Sequence, residues 1–100
     1  MARLIVEQHF DTPLAEDEYD RMAKRVDPCL EMHGAVWIRS ALSADRRHYV
    51  CEFEAPDAEA VRESYLSAGV AFTRVWAATV YAVEDYPEAM AKLQAHRARR

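Results

Sequence analysis

Two side chains that commonly bind metal ions, Glu7 and His9, stand two residues apart near the beginning of the chain. They belong to residues 4–10, a run whose β-branched pair Ile5 and Val6 favours a strand. Side chains two apart in a strand point to the same face of a sheet. A carboxylate and an imidazole placed in this way are suitable ligands for nickel, zinc or manganese. The alternative is a hydrogen bond or salt bridge at a dimer interface.

A second pair of candidate ligands, His48 and Glu52, lies on the predicted strand at residues 47–54. The two side chains share one face of that strand but stand four residues apart. This separation is too long for them to chelate an ion by themselves, because a strand rises about 3.3 Å per residue. We therefore treat both as candidate ligands that need other groups beside them.

The elements that must position these residues follow one another along the chain. Residues 19–33 have apolar side chains at steps of three and four, which predicts a helix. Pro28 interrupts that pattern, so we expect a kink or two abutting helices. The other predicted elements are strands at residues 35–42, 47–54 and 73–83, a helix between Asp57 and Gly69, and a terminal helix opened by Asp85-Tyr86-Pro87.

The two middle strands are joined by a turn at residues 43–46 and should form a hairpin. The predicted order is therefore βαββαβ, an α+β ferredoxin-like antiparallel sheet followed by a C-terminal helix. We assign residues 1–84 to the ferredoxin-like domain and residues 85–100 to the C-terminal helix and basic tail. Two helices cover only one face of a four-stranded sheet, so the other face is open to water, a ligand or a partner.

Strand parity assigns side chains to the two faces of the predicted sheet. A hairpin turn of even length places Trp37 opposite Glu52 and puts Cys51 in the core. A turn of odd length would shift the third strand and bring Cys51 to the open face instead. The residues predicted to lie on the open face are Glu7, His9, Trp37, Arg39, His48, Glu52 and Trp76.

Three residues of this face, Trp37, Arg39 and Trp76, are candidates for binding a small molecule. The guanidinium of Arg39 is suited to an anionic substrate. The two tryptophans are either platforms for a substrate or anchors of a protein interface, since large aromatic side chains serve in both roles.

The composition excludes several classes of protein. An apolar fraction of 51% and a charged fraction of 30% are typical of a globular domain. The net charge of -4 lacks the basic field that nucleic-acid binding requires. Two cysteines are too few for a disulfide framework. Residues 1–7 lack the long apolar core that is typical of a signal peptide, and no apolar run approaches membrane-spanning length. We expect a cytoplasmic protein without a nucleic-acid or membrane partner.

Several short motifs carry a likeness to a known family. They are Ile5-Val6-Glu7, Trp37 with Ser40, Asp45, the run from Cys51 to Val61, and Ala68-Gly69. The sequence resembles, over residues 3–84, a family of small bacterial nickel-binding ferredoxin-like proteins long catalogued as a domain of unknown function. This resemblance implies a dimeric α/β barrel built from two sheets packed face to face. It also implies a bound divalent metal such as Ni²⁺.

Two functions are consistent with these observations. The first is a small homodimeric protein that binds Ni²⁺ or another divalent metal. The alternative is a cofactor-independent enzyme of the oxygenase, isomerase or cyclase type, or a ligand-binding protein, that uses a cavity of the barrel. In an enzyme, Glu7, His9 or Glu52 would be a general base with a pKa shifted by partial burial. The sequence indicates no organic cofactor.

Overall fold

The strand β1 (Ala2–His9) is a central strand of the sheet in the computed structural model, which describes residues 1–99. It pairs antiparallel with β3 (His48–Ala55) on one side and with β4 (Arg74–Ala77) on the other. The outer strand β2 (Val36–Leu42) pairs with β3, which gives the strand order β2-β3-β1-β4. The predicted ferredoxin-like fold class is therefore confirmed.

Two helices, α1 (Glu16–Met32) and α2 (Ala58–Ala68), cover one face of this sheet. Burial alternates along much of β1 and β3, because successive strand side chains point to opposite faces. The largest fully buried apolar side chains are Leu4, Val6, Phe53 and Val61, none of them more than 2% exposed. Cys51 belongs to the same cluster, which confirms its predicted place in the core.

The helix α1 continues through Pro28 as one element of 17 residues, so the expectation of two abutting helices was wrong. A proline in a helix interior removes one backbone hydrogen bond, here the bond to the carbonyl of Lys24. Both Lys24 and Pro28 are exposed, so the missing bond is not sealed inside the core. Val26 and Leu30, one on each side of the proline, are buried and hold both halves of the helix on the core.

Hydrogen bonds link α1 to the C-terminal end of α2. Gly69 adopts φ +67°, a left-handed conformation that glycine tolerates and that closes the helix. Arg25 of α1 donates from Nη2 to the carbonyl oxygens of Ala68 at 2.8 Å and Gly69 at 3.2 Å. These carbonyls have no partner within α2, and the cation also complements the negative end of the helix dipole.

The register between β2 and β3 differs from the prediction in two respects. Next to the turn the pairing is offset by two residues, with Ser40 opposite Cys51, and this even offset keeps each side chain on its predicted face. Farther along, a β-bulge interrupts β2 at Ile38. Trp37 lies opposite Phe53, whereas Arg39 lies opposite Glu52, so Ile38 has no direct partner. An extra residue in one strand changes which face the residues beyond it occupy relative to a regular ladder. The predicted pairing of Trp37 with Glu52 is therefore wrong.

The chain beyond β4 also departs from the prediction. The fourth strand has four residues, Arg74–Ala77, whereas residues 73–83 were predicted. A short 3-10 turn at Val83–Asp85 leads to α3 (Pro87–Ala98), which has no buried side chain and packs mainly against that turn. The predicted basic tail extends to Arg100, which lies outside the described residues, and the domain division at residue 84 stays a prediction. No helix within residues 1–99 is long and apolar enough to cross a bilayer.

The buried aromatic ring of Phe53 provides a test of this core. We expect Phe53→Ala to lower the free energy of unfolding by about 3–5 kcal/mol, because a phenyl group is lost from a closely packed site. Leu66→Ala, at a position 62% exposed on α2, is the control and should change it by less than about 0.5 kcal/mol. Urea unfolding at one fixed protein concentration measures both variants. Equal losses in the two would contradict the assigned core.

Candidate functional site

The open face of the sheet is defined by the strand register. Ile5 of β1 lies opposite Glu52 on one side and opposite Trp76 on the other. Every sequence-predicted candidate except Trp37 lies on this face. Its strand residues are Arg3, Ile5, Glu7, His9, Val36, Arg39, Ala41, His48, Val50, Glu52, Glu54, Arg74 and Trp76.

Two donors from β4 hold the carboxylate of Glu7. Arg74 forms an ion pair with it, and Trp76 donates from Nε1 to Oε2 at 2.7 Å. The hydrogen bond from Arg74, followed by that from Trp76, lowers the pKa of Glu7 below its ordinary value. Glu7 is therefore an ionised anchor between β1 and β4, with both oxygens already in contact with Arg74.

Glu52 is the buried carboxylate of the open face, with only 6% of its surface exposed. Arg39 donates from Nε to Oε1 at 2.8 Å, and Arg3 pairs with Oε2. Burial by itself raises the pKa of Glu52, but the hydrogen bonds from Arg39 and Arg3 outweigh it, so the pKa is lowered. A charge in this position is stabilised only while both arginines stay in place.

A pair of histidines closes one end of the same face. His9 and His48 are directly opposite each other, with Nδ1 atoms 3.4 Å apart and ring centroids 4.8 Å apart. A hydrogen bond between these two nitrogens requires one ring to donate and the other to accept. Nε2 of His9 lies 3.7 Å from Oδ1 of Asp11 on its other side. Both imidazoles are exposed to solvent.

The nitrogen and oxygen atoms of the open face determine whether it can bind a metal ion. Two imidazole nitrogens 3.4 Å apart match two ligands of one ion, because metal–nitrogen bonds are about 2.1 Å long. Within residues 1–99, no three side chains of His, Cys, Asp or Glu gather closely enough to hold a metal. The predicted pair of Glu7 and His9 has no contact of its own, since Glu7 contacts Arg74 and His9 contacts His48. One chain therefore offers two paired ligands.

Trp37 lies on the helix side of β2, so its predicted place on the open face was wrong. The bulge at Ile38 sets Trp37 opposite the core residue Phe53. Its Nε1 donates to Oγ of Ser40 at 2.8 Å, and that hydroxyl contacts Sγ of Cys51 at 3.0 Å. Trp37 is thus part of the wall of a groove between α1 and the β2–β3 hairpin.

Sequence reasoning missed Arg3 and Arg74, the cationic partners of the two carboxylates. Parity along β1 places Arg3 on the same face as Glu7, so that residue had a usable signal. The partnership of Arg74 with Glu7 depends on the register between β1 and β4. No local pattern specifies that register, because the two strands are far apart in the chain.

A four-stranded antiparallel sheet with two helices on one face and charged, aromatic residues on the other defines a ferredoxin-like protein with an open sheet. The family model described as nickel responsive protein SCO4226-like matches residues 4–77, and the chain belongs to that family. The family resemblance expected from the sequence is therefore confirmed. A comparison with curated proteins finds no match.

Among solved structures, the chain is similar to SCO4226 from Streptomyces coelicolor A3(2), determined by crystallography. The TM-score is 0.72 at 15% sequence identity, over 81% of this chain and 100% of that chain. This likeness shows the fold. The family model ends at residue 77, so α3 lies beyond the matched residues.

The double ion pair of Glu52 predicts a dependence of stability on pH. We expect Glu52→Gln to lower the free energy of unfolding by about 2 kcal/mol at pH 7, because two charge-assisted hydrogen bonds are lost. The folded pKa is lowered, so the carboxylate stabilises the fold fully above its unfolded pKa of about 4.3. That stabilisation is lost as the pH falls through the folded pKa.

Urea unfolding at a series of pH values from 7 downward tests this prediction. The difference between wild type and Glu52→Gln should shrink in the acid range. Glu54→Gln is the matched control, since Glu54 is exposed on the same strand face and forms no ion pair among residues 1–99. A difference for Glu52→Gln that stays constant with pH would contradict the assigned ion pairs.

Proposed function

We propose that this chain is a homodimeric protein that binds a divalent metal ion, preferably nickel, through His9 and His48. The observation that carries the proposal is the cross-strand histidine pair with Nδ1 atoms 3.4 Å apart. Imidazole nitrogen is a good ligand for nickel, zinc and copper. The choice of nickel is supported by the family, which is described as nickel responsive.

In this proposal one chain supplies two imidazole ligands, and a second chain or water supplies the rest. Asp11 lies beside Nε2 of His9 and would orient the ring, as carboxylates commonly do behind a metal-bound histidine. Binding requires each imidazole to present an unprotonated nitrogen to the ion. The hydrogen bond between His9 and His48 would be given up when the metal binds.

Glu7 and Glu52, the two predicted carboxylate ligands, have a different role in this proposal. Each would have to release an arginine before it could bind an ion, Arg74 from Glu7 and Arg39 from Glu52. Their role in this proposal is to neutralise the arginines of the open face. Arg39 is likewise engaged by Glu52, so it is less suited to hold an anionic substrate than the sequence indicated.

The homodimer is supported by the balance of charge and apolar surface on the open face. Among its strand residues, three arginines stand against three glutamates, which leaves no net charge. These are Arg3, Arg39 and Arg74 against Glu7, Glu52 and Glu54. Two copies of such a face can meet without like-charge repulsion. Trp76 on the edge strand β4 and Val50 on β3, 43% and 39% exposed, would supply apolar contact.

Metal binding is tested by calorimetry of untagged protein with Ni²⁺ and with Zn²⁺. We expect saturable binding, weakened more than about tenfold, or about 1.4 kcal/mol, in both His9→Ala and His48→Ala. His96→Ala, which removes an exposed imidazole of α3, is the control and should bind as wild type does. No binding by wild type would refute the proposal. A loss in Glu7→Gln as large as that in His48→Ala would instead identify Glu7 as a ligand.

Dimerisation is tested by sedimentation of the full chain with and without metal. We expect a dimer that Trp76→Arg converts to a monomer, because a cation would replace apolar contact on a face that already carries three arginines. Leu66→Arg places the same charge at an exposed position of α2, on the helix side, and should leave the dimer intact. A monomeric wild type, or two variants with equal effect, would refute the assigned interface.

A further inference from the structure

A groove opens on the helix side of the sheet, opposite to the face that carries the histidines. It exists because α1 packs chiefly against α2 and stands away from the outer strand β2. Trp37 of β2 is consequently 55% exposed although it lies opposite the core residue Phe53. The groove has a volume of about 510 Å³, within the range of about 300–1,000 Å³ that is usual for small-molecule sites.

Aromatic rings contribute to every side of the wall of this groove. Five of them line it, from α1, both strands of the hairpin and α2: Tyr19, Trp37, Tyr49, Phe53 and Tyr65. Their faces and edges are already arranged at right angles in pairs, with Tyr19 and Tyr49 at 5.6 Å and Phe53 and Tyr65 at 6.3 Å. A planar ring placed among them gains further stacking or edge-to-face contact.

A small polar group lies at the strand side of the groove. Trp37 donates to Oγ of Ser40, and that hydroxyl reaches Sγ of Cys51. Burial raises the pKa of the Cys51 thiol, and burial likewise raises the pKa of the Tyr49 and Tyr65 phenols. These groups are therefore neutral at pH 7 and offer hydrogen bonds without charge.

The charged side chains that line the groove are acidic. Among residues 1–99, two carboxylates line the groove, those of Asp27 and Glu31, both exposed on α1, and no lysine or arginine lines it. An anionic ligand would find no counter-charge here and would meet two carboxylates. A neutral or cationic ligand would meet no such repulsion.

We propose that this groove binds a planar aromatic small molecule that carries no negative charge. The aromatic wall sets the shape of the ligand, the hydroxyl–thiol pair sets one hydrogen-bonding end, and Asp27 with Glu31 exclude anions. The groove lies on the opposite side of the sheet from His9 and His48, so this activity is separate from the proposed metal site and needs no metal.

A matched pair of fluorescent probes tests the proposal on the full chain in the presence of EDTA. N-phenyl-1-naphthylamine is neutral, and 8-anilinonaphthalene-1-sulfonate has the same ring system with a sulfonate added. We expect saturable binding of the neutral probe and at least about tenfold weaker binding of the sulfonate, a difference of about 1.4 kcal/mol. Failure here, with nickel binding intact, would refute this inference alone.

Two variants locate the probe. Ala23→Phe adds a ring from α1 into the groove and should weaken the neutral probe at least tenfold, with thermal unfolding used to verify the fold. Ala91→Phe, at an exposed position of α3, is the matched control and should leave binding of the neutral probe unchanged. Asp27→Asn combined with Glu31→Gln should strengthen binding of the sulfonate and leave the neutral probe within about twofold.

Three outcomes would overturn the proposal. One is no saturable binding of the neutral probe by the folded protein. Another is equal binding of both probes by wild type, which would indicate non-specific apolar contact. The third is binding that appears only when the protein is diluted until it dissociates, which would identify a second copy of the chain as the occupant of the groove.

Discussion

The antiparallel pairing of β1 with β3 is the constraint on which the rest of the structure depends. Its register sets Leu4 opposite Phe53 in the core. Because strand side chains alternate, a slip by one residue would turn this apolar set to solvent and bring the charges of the other face under the helices. The same register ends with His9 opposite His48. The histidine pair is thus a by-product of core packing several residues away.

One-sided coverage by two helices gives the two faces of the sheet different chemistry. On the open face, carboxylates must be balanced where they stand, and Glu52 is buried only because Arg3 and Arg39 hold both of its oxygens. On the helix side, the gap between α1 and β2 is lined mostly by apolar and aromatic side chains, together with the carboxylates of Asp27 and Glu31. The ion pairs and the apolar groove therefore lie on opposite sides of one sheet.

Local signals in the sequence predicted the parts of the fold that local physics decides. Gly69 ends α2 because glycine accepts a left-handed backbone, and Asp57 begins it because its carboxylate accepts a hydrogen bond from Ala60. Alternation placed Glu7 and His9 on one face. The same signals failed for Pro28, where the packing of the flanking helix turns outweighs the cost of one lost hydrogen bond.

By itself, the sequence determined the order of the elements, the apolar face of each helix and the alternation of β1 and β3, since these depend on neighbours a few residues away. Only the tertiary structure decided the bulge at Ile38, and with it the move of Trp37 from the open face to the groove. It also decided which arginine meets which carboxylate. Both depend on the register between paired strands, where one extra residue changes the face of every side chain beyond it.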